Sequence, residues 1–269
     1  KKRRFEKVRN GTSVLVHWPE SASLLLTNAK TRFLQIASDF TFLNAHLTLF
    51  VDWFGERQHV NASNPNWLKW LPSDPTSAHC YGREHLEWLI AAYVAHDAER
   101  GENRTVREFV TEFRGLTGSA KGGAVLEETG LARANLSSLA NGRELDTKVI
   151  GRLLASMKKH SKPIDPSALG VIGKDHLATR FNDLRCEMKT FNYKKVMGTI
   201  DGVPWVVETA FAGRPDATSR RLITGVNWSP GITNPFRELG DGGQSLDSVL
   251  EQQRAGRDEP VVFILHMSC

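Results

Sequence analysis

No apolar run in this sequence approaches the roughly 18 to 20 residues that a helix needs to cross a bilayer. The basic start Lys1-Lys2-Arg3-Arg4 is followed by no apolar signal-peptide core, and the stretch 261–267 is far too short to serve. The chain therefore reads as cytosolic. Cysteine is scarce: Cys80, Cys186 and Cys269 are three in number, widely spaced and without a C-x-x-C pair. That argues against both a disulfide framework and a zinc site, and leaves three reduced thiols. The nine histidines offer no H-x-x-x-H spacing, and His79 and His85, six apart, do not share a helix face. Asp165, Asp201 and Asp241 fall in apparent turns, where Asp is expected anyway, so a hydrolytic carboxylate pair is not indicated.

What is present is ordinary for a soluble globular protein: 269 residues, 40% hydrophobic and 24% charged. That length holds one large domain or two to three small ones. A net charge of +5 suits a polyanionic partner. The Lys1–Arg4 cluster has two readings, a phosphate contact or a solvated, frayed terminus. Both ends look cut. The chain opens without Met inside a charged run and closes directly after the β-type run 260–266, which reads as a central strand.

The pattern divides the chain into three blocks. In the first, 13–17 reads as a strand entered through Gly11-Thr12. Residues 21–36 carry apolar side chains at helical spacing (Leu25, Ala29, Phe33, Ile36), and 46–53 alternates as a strand does. Residues 54–80, with Pro65, Pro72 and Pro75, read as an irregular connector whose Trp67 and Trp70, with Trp53, pack on a domain face. The second block is almost all α. Leu86, Leu89, Ile90 and Tyr93 form a stripe ending near Gly101, and Thr105 caps a helix carrying Val106, Phe109, Val110 and Phe113. A helix over 124–129 stops at Gly130, another runs over 146–159, and a short one begins at 172. Gly122-Gly123 before the 124–129 helix costs propensity, about 1 kcal/mol per Gly against Ala. From about Cys186 the chain reads as α+β with a mostly antiparallel sheet: strands at 203–211 and 220–227, a helix at 246–253, and the final strand.

The order of these blocks resembles the B subunit of topoisomerase VI over nearly the whole chain. Gly11-Thr12-Ser13-Val14-Leu15-Val16, followed by helix and strand, is similar to the tail of a GHKL (Bergerat) ATPase domain. The all-α block resembles a helix–two-turn–helix domain through its Gly118-Ser119-Ala120-Lys121 turn and its Glu128-Thr129-Gly130-Leu131 ending. The Pro-rich exit 158–173 is similar to the end of that domain. Gly202-Val203-Pro204-Trp205-Val206-Val207-Glu208 and Gly225-Val226-Asn227-Trp228-Ser229-Pro230 look like the leading strands of a transducer domain.

The resemblance implies a multidomain α+β fold. Residues 1–80 would be the end of a Bergerat-type α/β sandwich plus connector, 81–178 a helix–two-turn–helix domain, and 179–269 a truncated α+β transducer. It implies ATP and Mg as cofactors of the parent protein, homodimerisation through its N-terminal ATPase region, and a separate topoisomerase VI A-like subunit that cuts double-stranded DNA. The family's Mg-binding Asn helix and Asp-x-Gly-x-Gly turn are absent from this sequence, so no catalytic residue is assigned. Gly11 and Thr12 either border the ATP lid or supply a permissive turn. Two other readings remain: a GHKL-type DNA clamp in defence or repair without a cutting partner, and an interaction scaffold. Tyr81, Tyr93 and Tyr193 stand outside any acidic constellation of the kind that cleaves DNA, and Tyr93 reads as core.

Phosphate contact is the chemistry these residues can supply. Lys121 is expected near outward-facing N–H groups at a helix start, a favourable position for an anion. Arg133, Arg143, Lys148, Lys158, Lys159 and Lys162 make the all-α block a candidate basic surface, interspersed with Glu127, Glu128 and Glu144.

Overall fold

The computed structural model describes residues 19, 21, 23–141, 144–240 and 242–269. The expected strand at 13–17, together with Gly11, Thr12, Arg143 and Asp241, lies outside the described residues. The fold is mixed α+β, and no helix among the described residues is long and apolar enough to cross a membrane.

The helix read at 21–36 is longer than its apolar spacing indicated: α1 spans Ser23–Leu43. Strand β1 (Leu49–Trp53) follows it, and the ring of Trp53 lies against Phe33 of α1 at 4.8 Å, tilted by 40°. The connector is not wholly irregular, because β2 (Glu56–Val60) folds back antiparallel on β1. The two-residue turn between them has φ of 50° at Phe54 and 96° at Gly55, and Asp52 accepts from the Gly55 N–H at 2.8 Å. Phe-Gly lacks the usual Asn-Gly or Asp-Gly signature of such a turn. Glu56-Arg57-Gln58-His59-Val60 also lacks apolar alternation, which is why the hairpin was not legible.

The helical block follows. Helix α2 (Arg83–Arg100) matches its expected span, α3 (Val106–Thr111) ends before the Phe113 expected on it, and Thr105 with Glu108 forms a reciprocal capping box. Helix α4 spans Ser119–Thr129, starting five residues earlier than the pattern of 124–129 indicated. Gly122 is buried there, and a Cβ on it would lie 3.1 Å from the Leu116 carbonyl oxygen. The glycine's propensity cost is thus accepted for close packing of the first turn on the preceding loop. Two-residue strands β3 (Ala140–Asn141) and β4 (Glu144–Leu145) precede α5 (Thr147–His160), whose first turn is capped by the Asp146 carboxylate. Leu86, Ile90, Phe109, Val125, Leu153 and Met157 form the core of this block.

After α6 (Lys174–Asp183) come β5 (Asn192–Ile200), β6 (Val203–Gly213), β7 (Arg221–Val226), β8 (Ser229–Pro230), α7 (Leu246–Gln252) and β9 (Val261–Ser268). The sheet order is β5-β6-β9-β7-β8, so the final strand is central, as its apolar run indicated. Only the β7–β9 pairing is parallel among the pairings described. Strand β5 escaped the sequence reading because it lies at an edge and is largely exposed on both faces, which erases alternation. The inner face of the sheet (Val206, Ala210, Ile223, Ile264) packs on Leu177 and Phe181 of α6 and on Phe42 and Leu43 of α1. Trp67 and Trp70 pack against the same core, so the first and third blocks share it.

Helix α1 is tied to α6 by buried polar contacts. His176, only 5% exposed, donates from Nε2 to the Phe42 carbonyl at 2.9 Å, while its Nδ1 meets the Ser63 hydroxyl. Arg180 donates to the carbonyls of Thr41 and Asn61 at 3.2 and 2.7 Å. Burial, reinforced by the Arg180 charge, pushes the His176 pKa down to about 4 from 6.5. The folded chain therefore binds fewer protons than the unfolded one between these values, and stability falls as pH falls through that window. The full loss is roughly 3 kcal/mol. Urea midpoints should drop between pH 6.5 and pH 5, and His176→Gln should make that slope shallower. A wild-type midpoint constant across this range would contradict a neutral buried His176.

Candidate nucleic-acid interface

Helix α5 carries the densest set of predicted phosphate-binding residues, and its amphipathicity explains how they are displayed. Ile150, Leu153, Leu154 and Met157 are buried on one side. Lys148, Arg152, Ala155 and Lys159 are exposed and recur at i, i+4, i+7 and i+11, which places them along the opposite side. The row extends about 16 Å along the helix axis. Arg152 was missed from sequence, although its spacing from Lys148 was the available signal.

The cations of this row are not equivalent. Lys159 donates to Glu128 at 2.8 Å, and the same carboxylate accepts from His160 at 2.8 Å and Ser156 at 3.0 Å. Lys159, then His160 and Ser156, hold the Glu128 carboxyl down to about 2. Lys159 is therefore partly neutralised, although its side chain stays exposed. Lys148 and Arg152 have no carboxylate partner among the described residues. Lys148 also sits in the first turn of α5, where the helix dipole disfavours a cation by about 0.3–1 kcal/mol. Helix α4 repeats this arrangement: Lys121 is exposed in its first turn, inside the helix rather than ahead of it. Neither α4 nor α5 has an acidic residue in its first turn. The start of α4, which carries a lysine and has no capping side chain, is favourable to a bound anion, whereas the Asp146 carboxylate already caps α5.

The other candidates are scattered. Arg133 is exposed in the turn after α4, and Lys162 is exposed on the chain leaving α5. Lys158 is half-buried, its charge felt by the Cys80 thiol, on the flank of α5 away from the exposed row. Tyr93 packs against the helical core but keeps its hydroxyl at the surface, donating to Glu112 at 2.6 Å. That bond, then burial, pushes its pKa up to about 12. No group of three or more His, Cys, Asp or Glu side chains is placed to hold a metal ion among the described residues.

Behind the helical block lies a buried carboxylate that the sequence reading quoted only as part of a strand. Glu208, 0% exposed, shares the inner face of β6 with Val206 and Ala210. It accepts from the backbone N–H groups of Ile172 and Gly173, each at 2.9 Å, and from the Tyr193 hydroxyl of β5 at 2.7 Å. Gly173 is the N-cap of α6 and has no side chain to cap it, so the carboxylate occupies the positive end of that helix. His266 of β9 takes the Trp228 N–H on Nε2 at 3.1 Å, which leaves its Nδ1 proton facing Glu208 at 3.8 Å. At that distance the contact is electrostatic rather than a hydrogen bond. Burial opposes the charge on Glu208, but His266, the two backbone N–H groups and Tyr193 together hold the carboxyl below its ordinary value. Burial and then the bond to Glu208 push the Tyr193 hydroxyl up.

Compared with protein-family models and with curated proteins, the chain matches none.

Removing a partner from a buried charge costs more than the net worth of one bond. Tyr193→Phe should destabilise by about 1–2 kcal/mol and Glu208→Gln by roughly 3 kcal/mol, measured as shifts of urea midpoint at unchanged m. A Glu208→Gln variant as stable as the wild type would show that the carboxylate holds nothing in place.

Proposed function

We propose that this chain is the relay portion of a topoisomerase VI B-subunit-like GHKL ATPase. In this reading its helical block rests on the backbone of duplex DNA, and its sheet passes nucleotide-driven closure to a separate cleaving subunit. The observation that carries the DNA contact is the exposed row on α5, in which Lys148 and Arg152 have no carboxylate partner among the described residues. The order of elements supports the wider reading. A helix and hairpin come first, then a helix pair (α4 and α5) with Gly130 and the short strands β3 and β4 between them, then a sheet with Glu208 on its second strand. ATP and Mg belong to the proposed parent assembly, as do homodimerisation and the A-like cutting partner, and no residue described here is assigned to them.

Cations on one helix face, with Ala155 and no aromatic ring among them, suit phosphates and offer no platform for stacking bases. Such contacts position a duplex without reading its sequence. Each phosphate neutralised adds about 0.9 to the log–log slope of affinity against salt.

Anisotropy of a fluorescent duplex titrated with this chain at several salt concentrations tests the reading. The wild type should bind and weaken steeply with salt. Lys148→Glu with Arg152→Glu should lower the slope by about 2 in total, whereas Lys159→Glu should change it less. Equal affinity and slope in the double variant, or no binding at low salt, would overturn the DNA-facing role.

A further inference from the structure

The chain between α5 and α6 is held from outside at its start and along its last five residues. The Lys162 carbonyl accepts from the Ser77 hydroxyl at 3.1 Å, and the Leu169 carbonyl accepts from the Trp70 backbone N–H at 2.9 Å. The Gly170 carbonyl accepts from the Trp228 indole at 3.3 Å and the Val171 carbonyl from the Trp67 indole at 2.6 Å. Ile172 and Gly173 then donate to Glu208. Five successive residues, 169–173, are thus bonded to the connector, the loop after β7 or β6. The side chains of Leu169 and Ile172 are both 4% exposed within the sheet's core.

A second contact joins the same two units. The β5–β6 turn places Asp201 and Gly202 at φ of 51° and 84°, the two-residue hairpin conformation that glycine favours. Its tip rests on the 3₁₀ turn Ala78–Cys80 that leads into the helical block. A Cβ on Gly202 would lie 2.0 Å from the His79 carbonyl oxygen, and the Cys80 thiol donates to the Gly202 carbonyl at 3.6 Å.

We infer that the helical block and the sheet move as one rigid body, locked by the clamped strut 169–173 and by the β5–β6 tip. A load applied to the exposed face of α5 reaches the sheet through the Ser77–Lys162 bond and the seat of the β5–β6 tip on Ala78–Cys80, and the strut passes it on to Glu208. A flexible linker would leave its amides open to water. Here the Ile172 and Gly173 amides are released only when the contact with Glu208 is broken. The inference concerns mechanics and holds whatever ligand α5 binds.

Amide hydrogen exchange of the whole chain, read residue by residue, tests it. In the wild type, Ile172 and Gly173 should exchange within about tenfold of the β6 amides. Tyr193→Phe should speed them by about tenfold or more, and by a larger factor than it speeds Leu153 and Leu154 of α5. Gly202→Ala should speed exchange at Cys80 and leave Ile172 slow. Wild-type Ile172 and Gly173 exchanging a hundredfold or more faster than β6 would reveal a hinge and overturn the inference. So would a Tyr193→Phe variant in which exchange is unchanged at those two amides. The wild-type comparison stands even if a variant fails to fold, and it is independent of DNA binding.

Discussion

One ionised carboxylate in the interior constrains most of this architecture. Burying an unpaired charge costs several kcal/mol, so Glu208 is tolerable only if its surroundings supply fixed dipoles. They do so from four directions: Tyr193 on one neighbouring strand, His266 on the other, the chain leaving the helical block, and the uncapped N-terminus of α6. The requirement acts on the sequence in turn. Gly173 can start α6 without a capping side chain because the cap arrives from β6. Tyr193, on an edge strand with little apolar cover, is retained for its hydroxyl as well as its ring. The same network ties β5 to β6 through Tyr193 and sets where the helical block's exit meets the sheet.

The external face of α5 bears an opposite economy. Cations at Lys148 and Arg152 stand without carboxylate partners among the described residues, and Lys121 occupies the uncapped start of α4, where an acidic residue would stabilise more. Such local conflicts are expected at sites retained for contact with a ligand rather than for folding. Joined to the rigid exit segment, they place an anion-favouring surface and the sheet in direct mechanical relation. Under the proposed function, that relation would carry nucleotide-driven closure to DNA.

Much of the fold could be read from periodicity and caps. Thr105 with Glu108, Asp146 before Thr147, and the run ending at His266 each stated their element locally. What escaped was set by partners distant in sequence. Strand β5 has no alternation because neither of its faces is well covered, and β2 pairs through a Phe-Gly turn that only the adjoining strands enforce. The start of α4 was hidden by Gly122, whose value lies in its approach to the Leu116 carbonyl. For the interface, Lys148 and Lys159 were visible as charges. The salt bridge that neutralises Lys159 depends on Glu128, which helix packing brings across from α4. Glu208 could have been singled out, since alternation along β6 puts it on the apolar side, but its partners on β5, β9 and α6 had no sequence signature.

The state of that carboxylate is the most direct measure of the account. Following the side-chain carboxyl carbon resonance of Glu208 through an acid titration reports it without perturbing the protein. The account predicts a group still ionised at pH 4.5, its ordinary midpoint, and titrating only below it. A Glu208 carboxyl that takes up its proton above that value would show that burial prevails over its partners. The junction between helical block and sheet would then not be held by a charge.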